Sequence, residues 1–299
     1  MDPRFHPAVD AIKSGNVARL RDLITADPSL ATSRSSTSHP TLLQCLVLNA
    51  RDASDHIEMA RLLIDAGADL AGPLSACGSC NNVLAATLLL DFGAPINGLG
   101  GWSPIEEALY WNSQGVIDLL VRRGASIGNL RIAAGLGRTD LIEALFTPDG
   151  NIRPEAGTVN WPWGDLTVIE RSNFDENGKR MLAAKFASFK SDRQGIINNA
   201  FVYACIGGHI KAAELLLSKG AQVNAIADGF DYSGTGLHYA ALNGQRTMVE
   251  FLIAHGADTS IKDSKIGGTA AGSTPSRTRV FRARQLRAIS SQTDARCGR

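Results

Sequence analysis

The sequence predicts an all-α solenoid of about seven helix-turn-helix units, with one long insertion and an irregular C-terminal tail. Three observations lead to this prediction. A Gly-Ala pair recurs five times along the 299 residues, and an apolar triplet precedes each pair. A pair of small residues recurs upstream of the triplets, as at Ala204-Cys205 and Ala240-Ala241. Such repetition is typical of units that bury their apolar faces only against their neighbours.

The composition agrees with a folded protein that has a large core. Hydrophobic residues make up 44% of the chain and charged residues 20%, which is too apolar for wholesale disorder. There is no run of 18 apolar residues and no signal-like start, so we expect neither a transmembrane helix nor a secretory leader. Five cysteines are too few for a disulfide framework, so we expect a reducing, cytoplasmic setting.

The Gly-Ala pairs and the triplets have physical reasons to sit where they do. The glycine serves as a helix C-cap, where a positive φ costs little, and the triplet fills the layer between stacked units. The pairs lie at 67–68, 93–94, 124–125, 220–221 and 256–257, and the triplets at 62–64, 88–90, 119–121, 215–217 and 251–253. The segment 103–106, Ser-Pro-Ile-Glu, is a capping box that predicts a sharp helix start.

The clearest unit, residues 235–258, reads Thr-Gly-Leu-His-Tyr-Ala-Ala and continues to an apolar triplet and Gly-Ala-Asp. It resembles the ankyrin repeat, a unit of a β-turn and two helices with a Thr-Pro-Leu-His-x-Ala signature, although Gly236 replaces the usual proline. The resemblance covers residues 8–270 apart from the insertion. It implies a scaffold with an extended binding surface, and it implies no reaction.

The repeats divide the chain into five parts. We predict an N-terminal capping repeat at 1–38, repeats two to five at 39–146, an insertion at 147–195, repeats six and seven at 196–263, and a truncated repeat start with a basic, disordered tail at 264–299. The insertion should contain a helix at 179–189, with Leu182, Phe186 and Phe189 on one face. This helix could cap its own solenoid or form a lid over the concave face.

The tail changes the meaning of the overall charge of +1. Residues 1–263 hold 22 basic and 28 acidic residues, a net of −6, whereas residues 264–299 hold eight basic and one acidic, a net of +7. Seven of the basic residues in the tail are arginines. The tail could be an arm that binds nucleic acid or an acidic surface, a solvated tail without function, or the product of a frameshift, which is our leading hypothesis.

No catalytic constellation or metal site emerges from the motifs. Cys77 and Cys80 have Cys-x-x-Cys spacing but no second ligand pair, and we expect a small buried thiol at Cys77. Residues 173–178 resemble the front of a Ca²⁺ loop, but Ala184 stands where that loop needs a glutamate. We predict no catalytic residues, no cofactor and no metal, and therefore not an enzyme.

The resemblance places the residue before the paired alanines towards a concave groove. Together with nearby aromatics, these positions give the candidate partner-binding residues Trp102, Glu107, Tyr110, Trp111, Tyr203, Phe230, Asp231, Tyr232 and Tyr239. Aromatic side chains are common interface anchors, although they also serve as core. Tyr203 and Tyr239 should stand side by side. Acidic residues near them favour a basic or mixed partner over nucleic acid.

We therefore predict a protein-interaction module or scaffold that binds a partner protein through the concave groove. Two other hypotheses stay open. One is an enzyme or small-ligand binder with its site between the insertion and the groove. The other is nucleic-acid binding through the arginine-rich tail.

Overall fold

The described part of the computed structural model is helical. It covers residues 3–35, 41–49, 53–100, 102–160, 176–230, 234–264 and 267–272. Within these ranges there are isolated β-bridges but no strands, so the predicted all-α class is confirmed. The described residues form two compact units, one within 3–125 and the other within 126–272.

The first unit contains four helix pairs arranged in two layers. The first-helix layer consists of α1 (His6–Ser14), α4 (Leu42–Asn49), α6 (Ala71–Cys80) and α8 (Pro104–Tyr110), each packed on the next. The second-helix layer consists of α2 (Val17–Ala26), α5 (Ala53–Asp65), α7 (Val83–Asp91) and α9 (Gln114–Arg122), again each packed on the next. A short helix, α3 (Ser29–Thr32), follows α2.

The second unit contains three helix pairs and part of the insertion. The pairs are α10 (Leu130–Gly135) with α11 (Thr139–Ala144), α13 (Arg193–Gly207) with α14 (Ile210–Ser218), and α15 (Gly236–Leu242) with α16 (Arg246–Ala254). The first helices of the pairs pack on one another in order, and α15 also packs on a 3₁₀ turn, Ala270–Gly272. Together the two units hold seven helix pairs, as the repeat count predicts.

All five Gly-Ala steps end a helix in the same way. Each glycine has a positive φ, between 85° at Gly256 and 100° at Gly220. The amide of the following alanine donates to the carbonyl of the middle residue of the triplet, as from Ala68 to Leu63 at 3.0 Å and from Ala257 to Leu252 at 2.9 Å. This is the hydrogen bond of a Schellman cap, so the predicted role of the glycine is confirmed. The middle triplet residue is at most 1% exposed in every copy, whereas the flanking residues are more exposed, from 5% at Leu119 to 51% at Ile253.

The insertion contributes to the core of the second unit. Phe146 pairs with Ile152 in a β-bridge, a 3₁₀ turn follows at Pro154–Ala156, and Ala156 and Val159 are buried in the core of this unit. Helix α12 spans Glu176–Ala187, slightly earlier than the predicted 179–189.

Helix α13 begins at Arg193, before the predicted start of the sixth repeat at residue 196. The Asp192 side chain accepts the amide hydrogen of Gly195 at 2.7 Å and caps the helix. The additional residues lengthen α13 to 15 residues and lead directly into Ile196 and Ile197, which are buried.

Candidate partner-binding surface

Glu107 lies at the centre of the candidate surface in the first unit. It is a residue of α8, and it is only 2% exposed. The helix is placed by the predicted capping box: the Ser103 amide donates to Glu106 Oε2 at 2.8 Å, and the Glu106 amide donates to Ser103 Oγ at 3.4 Å. This start fixes which residues of α8 point towards its neighbours.

Two indole groups bind the carboxylate of Glu107. Trp102 Nε1 donates to Glu107 Oε2 at 2.8 Å, and Trp111 Nε1 donates to Glu107 Oε1 at 2.7 Å. Trp102 lies in the loop before α8, and we call such a loop between successive helix pairs a finger. Trp111 is the C-cap residue of the helix. Hydrogen bonds to an ionised acceptor are among the stronger ones in proteins, so the two indoles hold this carboxylate in place.

Tyr110 completes this aromatic group. Its ring meets Trp102 edge-on at 6.5 Å and Trp111 edge-on at 5.3 Å between centroids. Tyr110 is buried, whereas Trp102 and Trp111 remain partly exposed. We call Trp102, Glu107, Tyr110 and Trp111 the indole–carboxylate cluster. It brings four of the predicted site residues together.

Helix α6 supports this cluster from the neighbouring repeat. A side chain on Gly78 would approach the Ala108 backbone nitrogen to 2.9 Å and Glu107 Cγ to 3.2 Å, so α6 and α8 lie in close contact there. Cys77 is fully buried, which confirms its prediction as a small packed residue. Burial raises the pKa of the Cys80 thiol to about 11, and the nearby Glu107 charge adds to this effect. The thiols beside the cluster are therefore protonated and unreactive.

Three predicted anchors form a buried aromatic group in the second unit. Phe230 contacts Tyr203 at 5.2 Å and Tyr239 at 5.0 Å between ring centroids. Tyr203, Phe230 and Tyr239 are 1%, 3% and 4% exposed, respectively. The tyrosines lie at equivalent positions of α13 and α15, as predicted, but the finger residue Phe230 covers both. Their burial argues against direct contact with a partner.

The finger that carries Phe230 is fixed by hydrogen bonds. Asn199 Nδ2 donates to the Asp228 carbonyl at 2.8 Å, and the Lys190 amide donates to Asp228 Oδ2 at 3.0 Å. The acidic side chain of Asp228 therefore binds the end of the insertion. Asp231 and Tyr232 were also predicted to bind the partner, and they lie outside the described residues.

Two histidines, His209 and His238, contact the backbone of neighbouring turns. His238 Nδ1 accepts the Thr235 amide at 3.2 Å, and its Nε2 lies 3.3 Å from the Gly268 carbonyl. His209 Nε2 lies 2.9 Å from the Gly135 carbonyl. Burial lowers the pKa of His209, which favours the neutral ring. These rings position backbone, and the Thr235 hydroxyl, which lies 2.9 Å from His238 Nδ1, belongs to the capping box of α15.

Sequence reasoning did not find the pairing within the indole–carboxylate cluster. Glu107 and Trp111 are four residues apart on one helix, a spacing that places side chains together. The sequence therefore contained a signal for the hydrogen bond between Trp111 and Glu107. Trp102 precedes the helix, so only the path of the finger brings it to the carboxylate.

Among the described residues, no group of three or more His, Cys, Asp or Glu could hold a metal ion. In the same part of the chain, no helix combines the length and apolarity needed to cross a bilayer. Two segments lie outside the described residues: residues 173–175 of the Ca²⁺-like segment and the tail from residue 273 onwards.

Comparison with known proteins gives a family match. Residues 171–263 match the family model for ankyrin repeats in three copies. The ankyrin repeat domain of human ASB11 is similar at 17% identity over 92% of this chain and 97% of that chain, with a TM-score of 0.40. The ankyrin repeat domain of Bcl-3, described as a unique member of the IkappaB protein family, is similar at 18% identity over 93% of this chain and 97% of that chain, with a TM-score of 0.38. None of the curated proteins matches the chain.

Proposed function

The chain is an ankyrin-repeat protein, and we propose that it acts as a non-catalytic interaction module whose first unit binds a partner protein through its first-helix layer. Ankyrin repeats are generally protein–protein interaction modules. The specific surface and the kind of partner are our proposal. The indole–carboxylate cluster is the principal anchor in it.

The observation that supports this surface is the partial exposure of two tryptophans over a buried carboxylate. Tryptophan is enriched among residues that dominate binding energy, since it offers a large rigid contact area. Hydrogen bonds from both indoles to Glu107 hold the rings in fixed positions, so little conformational freedom is lost on binding. A preorganised aromatic surface of this kind suits docking onto a rigid face.

The aromatic group of the second unit has a different role in this proposal. Tyr203, Phe230 and Tyr239 are almost completely buried, so they stiffen the finger and do not meet the partner themselves. The finger tip at residues 231–232 remains a proposed contact.

The compartment we propose is the reducing cytoplasm. Four cysteines of the described chain are free, and burial raises the pKa of Cys45 to about 11, as it does for Cys80. Buried thiols of this kind act as small apolar residues and need no oxidising environment.

Site-specific photocrosslinking tests the proposed surface. A photoreactive amino acid replaces Leu99, an 81% exposed finger residue three positions before Trp102. The matched control replaces Leu84, which is 45% exposed on α7 in the second-helix layer. In cells, we expect position 99 to give one discrete protein adduct and position 84 to give none. Adducts from position 84 instead, or no adduct from position 99, would contradict the proposed surface.

A further inference from the structure

The methionines of the chain differ sharply in their access to solvent. The chain contains four, and three of them lie within the described residues. Met59 on α5 and Met248 on α16 are both 0% exposed, and Met248 belongs to the core of the second unit. Met181 on α12 is 67% exposed. Among the described residues, therefore, a reagent in solution reaches only one thioether directly.

Met181 lies on an outer face of α12. The residues that share this face recur at helical spacing and are all exposed, at positions 177, 180, 184, 185 and 188. The contact with the core of the second unit lies nearer the C-terminal end of the helix, where Phe189 packs against that core and meets Phe186 edge-on at 5.8 Å between ring centroids. A chemical change at Met181 thus alters an exposed surface.

The described cysteines are shielded from an oxidant that reaches Met181. Cys77 and Cys205 are 0% exposed, and burial raises the pKa of Cys45 and Cys80 to about 11. The thiolate is the reactive form of cysteine, and at pH 7 fewer than about one in a thousand of such thiols are ionised. Cysteine usually reacts before methionine because of its thiolate character, and burial removes that advantage here.

We propose that Met181 is a site of reversible oxidation by hydrogen peroxide or a related two-electron oxidant. A lone pair of the Met181 sulfur attacks one peroxide oxygen, so an S–O bond forms while the O–O bond breaks. The departing hydroxide takes the proton left on the transferred oxygen and leaves as water. The sulfur loses two electrons and becomes a sulfoxide, and the peroxide gains them.

Asn177 is placed to hold the oxidised product. Its Nδ2 atom donates to Met181 Sδ at 3.9 Å. A thioether is only a weak acceptor, whereas the sulfoxide is polar, so the same amide can donate to the new oxygen. Methionine sulfoxide reductases, one for each epimer, reverse the reaction, and an exposed sulfoxide is open to them.

Oxidation at Met181 differs in its consequence from oxidation at a packed methionine. A sulfoxide at Met248 would place a polar group inside the apolar core of the second unit. At Met181 it changes one outer face of α12 from partly apolar to polar, and the packed repeats stay intact. This modification does not depend on the proposed partner surface, since α12 belongs to the second unit.

A peroxide time course on the full wild-type chain tests the proposal. Hydrogen peroxide is added at pH 7, samples are quenched with catalase and digested with trypsin, and the gain of one oxygen is followed by mass spectrometry. A lysine or arginine lies between every two methionines, so each has its own peptide. We expect Met181 to be oxidised at least about tenfold faster than Met59 or Met248, and before the Cys45 and Cys80 thiols are lost. Equal rates for the three methionines, or earlier loss of those thiols, would overturn the proposal.

The same time course in denaturing urea is the matched control. Unfolding exposes all three methionines, so we expect their rates to agree within about twofold. If the native order persisted in urea, the selectivity would belong to the local sequence and not to the fold, and the structural basis of the proposal would be lost.

A second arm tests whether the modification is reversible and confined to the surface. After partial oxidation, we expect the two methionine sulfoxide reductases to restore Met181, and we expect the melting temperature of the oxidised protein to lie within about 2 °C of the untreated one. The variant Met181→Leu, treated in the same way, should gain no oxygen at Met59 or Met248 over the same period. A sulfoxide at Met181 that resists both reductases, or a larger fall in melting temperature, would contradict an exposed, reversible site.

Discussion

Individual residues decide whether an aromatic side chain becomes surface or core in this protein. The sequence placed Glu107, Tyr203 and Tyr239 at equivalent positions, and the structure buries all three. Trp102 and Trp111 cover the first, whereas Phe230 covers the other two. The repeat register could be predicted because it is local. The residue that covers each of these side chains could not be predicted, because its position depends on how a finger folds back over its helix.

Gly229 gives a prediction at this scale. A Cβ there would lie 2.7 Å from the Asn160 carbonyl oxygen, whereas one at Gly256 would meet nothing within 4 Å, and the two φ angles are similar at +87° and +85°. Alanine at either position pays the left-handed backbone strain of about 1–2 kcal/mol. We expect Gly229→Ala to lower the free energy of unfolding by at least about 1 kcal/mol more than Gly256→Ala, since it also pushes the insertion away.

Urea denaturation of the two variants measures that difference. Equal losses of stability would mean that residues 159–160 of the insertion do not press on the finger in solution. They would also remove the support we assign to the aromatic group of the second unit.

At the scale of elements, neighbouring repeats are joined through small residues as well as through apolar layers. The His209 ring lies between α10 and α13, near two glycines: a Cβ at Gly137 would lie 2.7 Å from its Nδ1, and one at Gly207 would lie 2.5 Å from its Cδ2. The glycines leave the space in which the ring reaches the Gly135 carbonyl. The sequence did not predict the earlier start of α13, which depends on the cap at Asp192.

This ring makes stability depend on pH. The pKa of His209 is lower in the folded chain than its ordinary value of 6.5, so the unfolded chain binds more protons. The stabilisation from the neutral ring is complete above about pH 6.5 and is lost as the pH falls towards the folded pKa. We expect the free energy of unfolding to fall less between about pH 7.5 and 5.5 in His209→Gln than in wild type, with a difference below about 1.4 kcal/mol per pH unit. Denaturation curves at each pH measure this, and parallel pH profiles would contradict it.

At the scale of the whole molecule, periodicity predicted more than charge or motifs did. The repeat pattern predicted seven helix pairs, and the five Gly-Ala steps predicted five of the helix caps, because each cap forms within a few residues of sequence. The overall charge of +1 hides an acidic stretch at 62–121 and a basic end. Which residues of that stretch are buried depends on packing between helices, so Glu107 could be named as a candidate residue from the sequence, but its burial could not be predicted.

The most direct test of the proposed surface is the affinity of the crosslinked partner for purified variants. Isothermal titration calorimetry would compare wild type with Trp111→Ala in the cluster and Leu84→Ala on α7, after circular dichroism has shown that both variants fold. We predict that Trp111→Ala weakens binding about tenfold or more, the effect of losing an interface anchor, and that Leu84→Ala changes it less than about twofold. Unchanged affinity for Trp111→Ala, or a larger loss for Leu84→Ala, would contradict a partner bound on the first-helix layer.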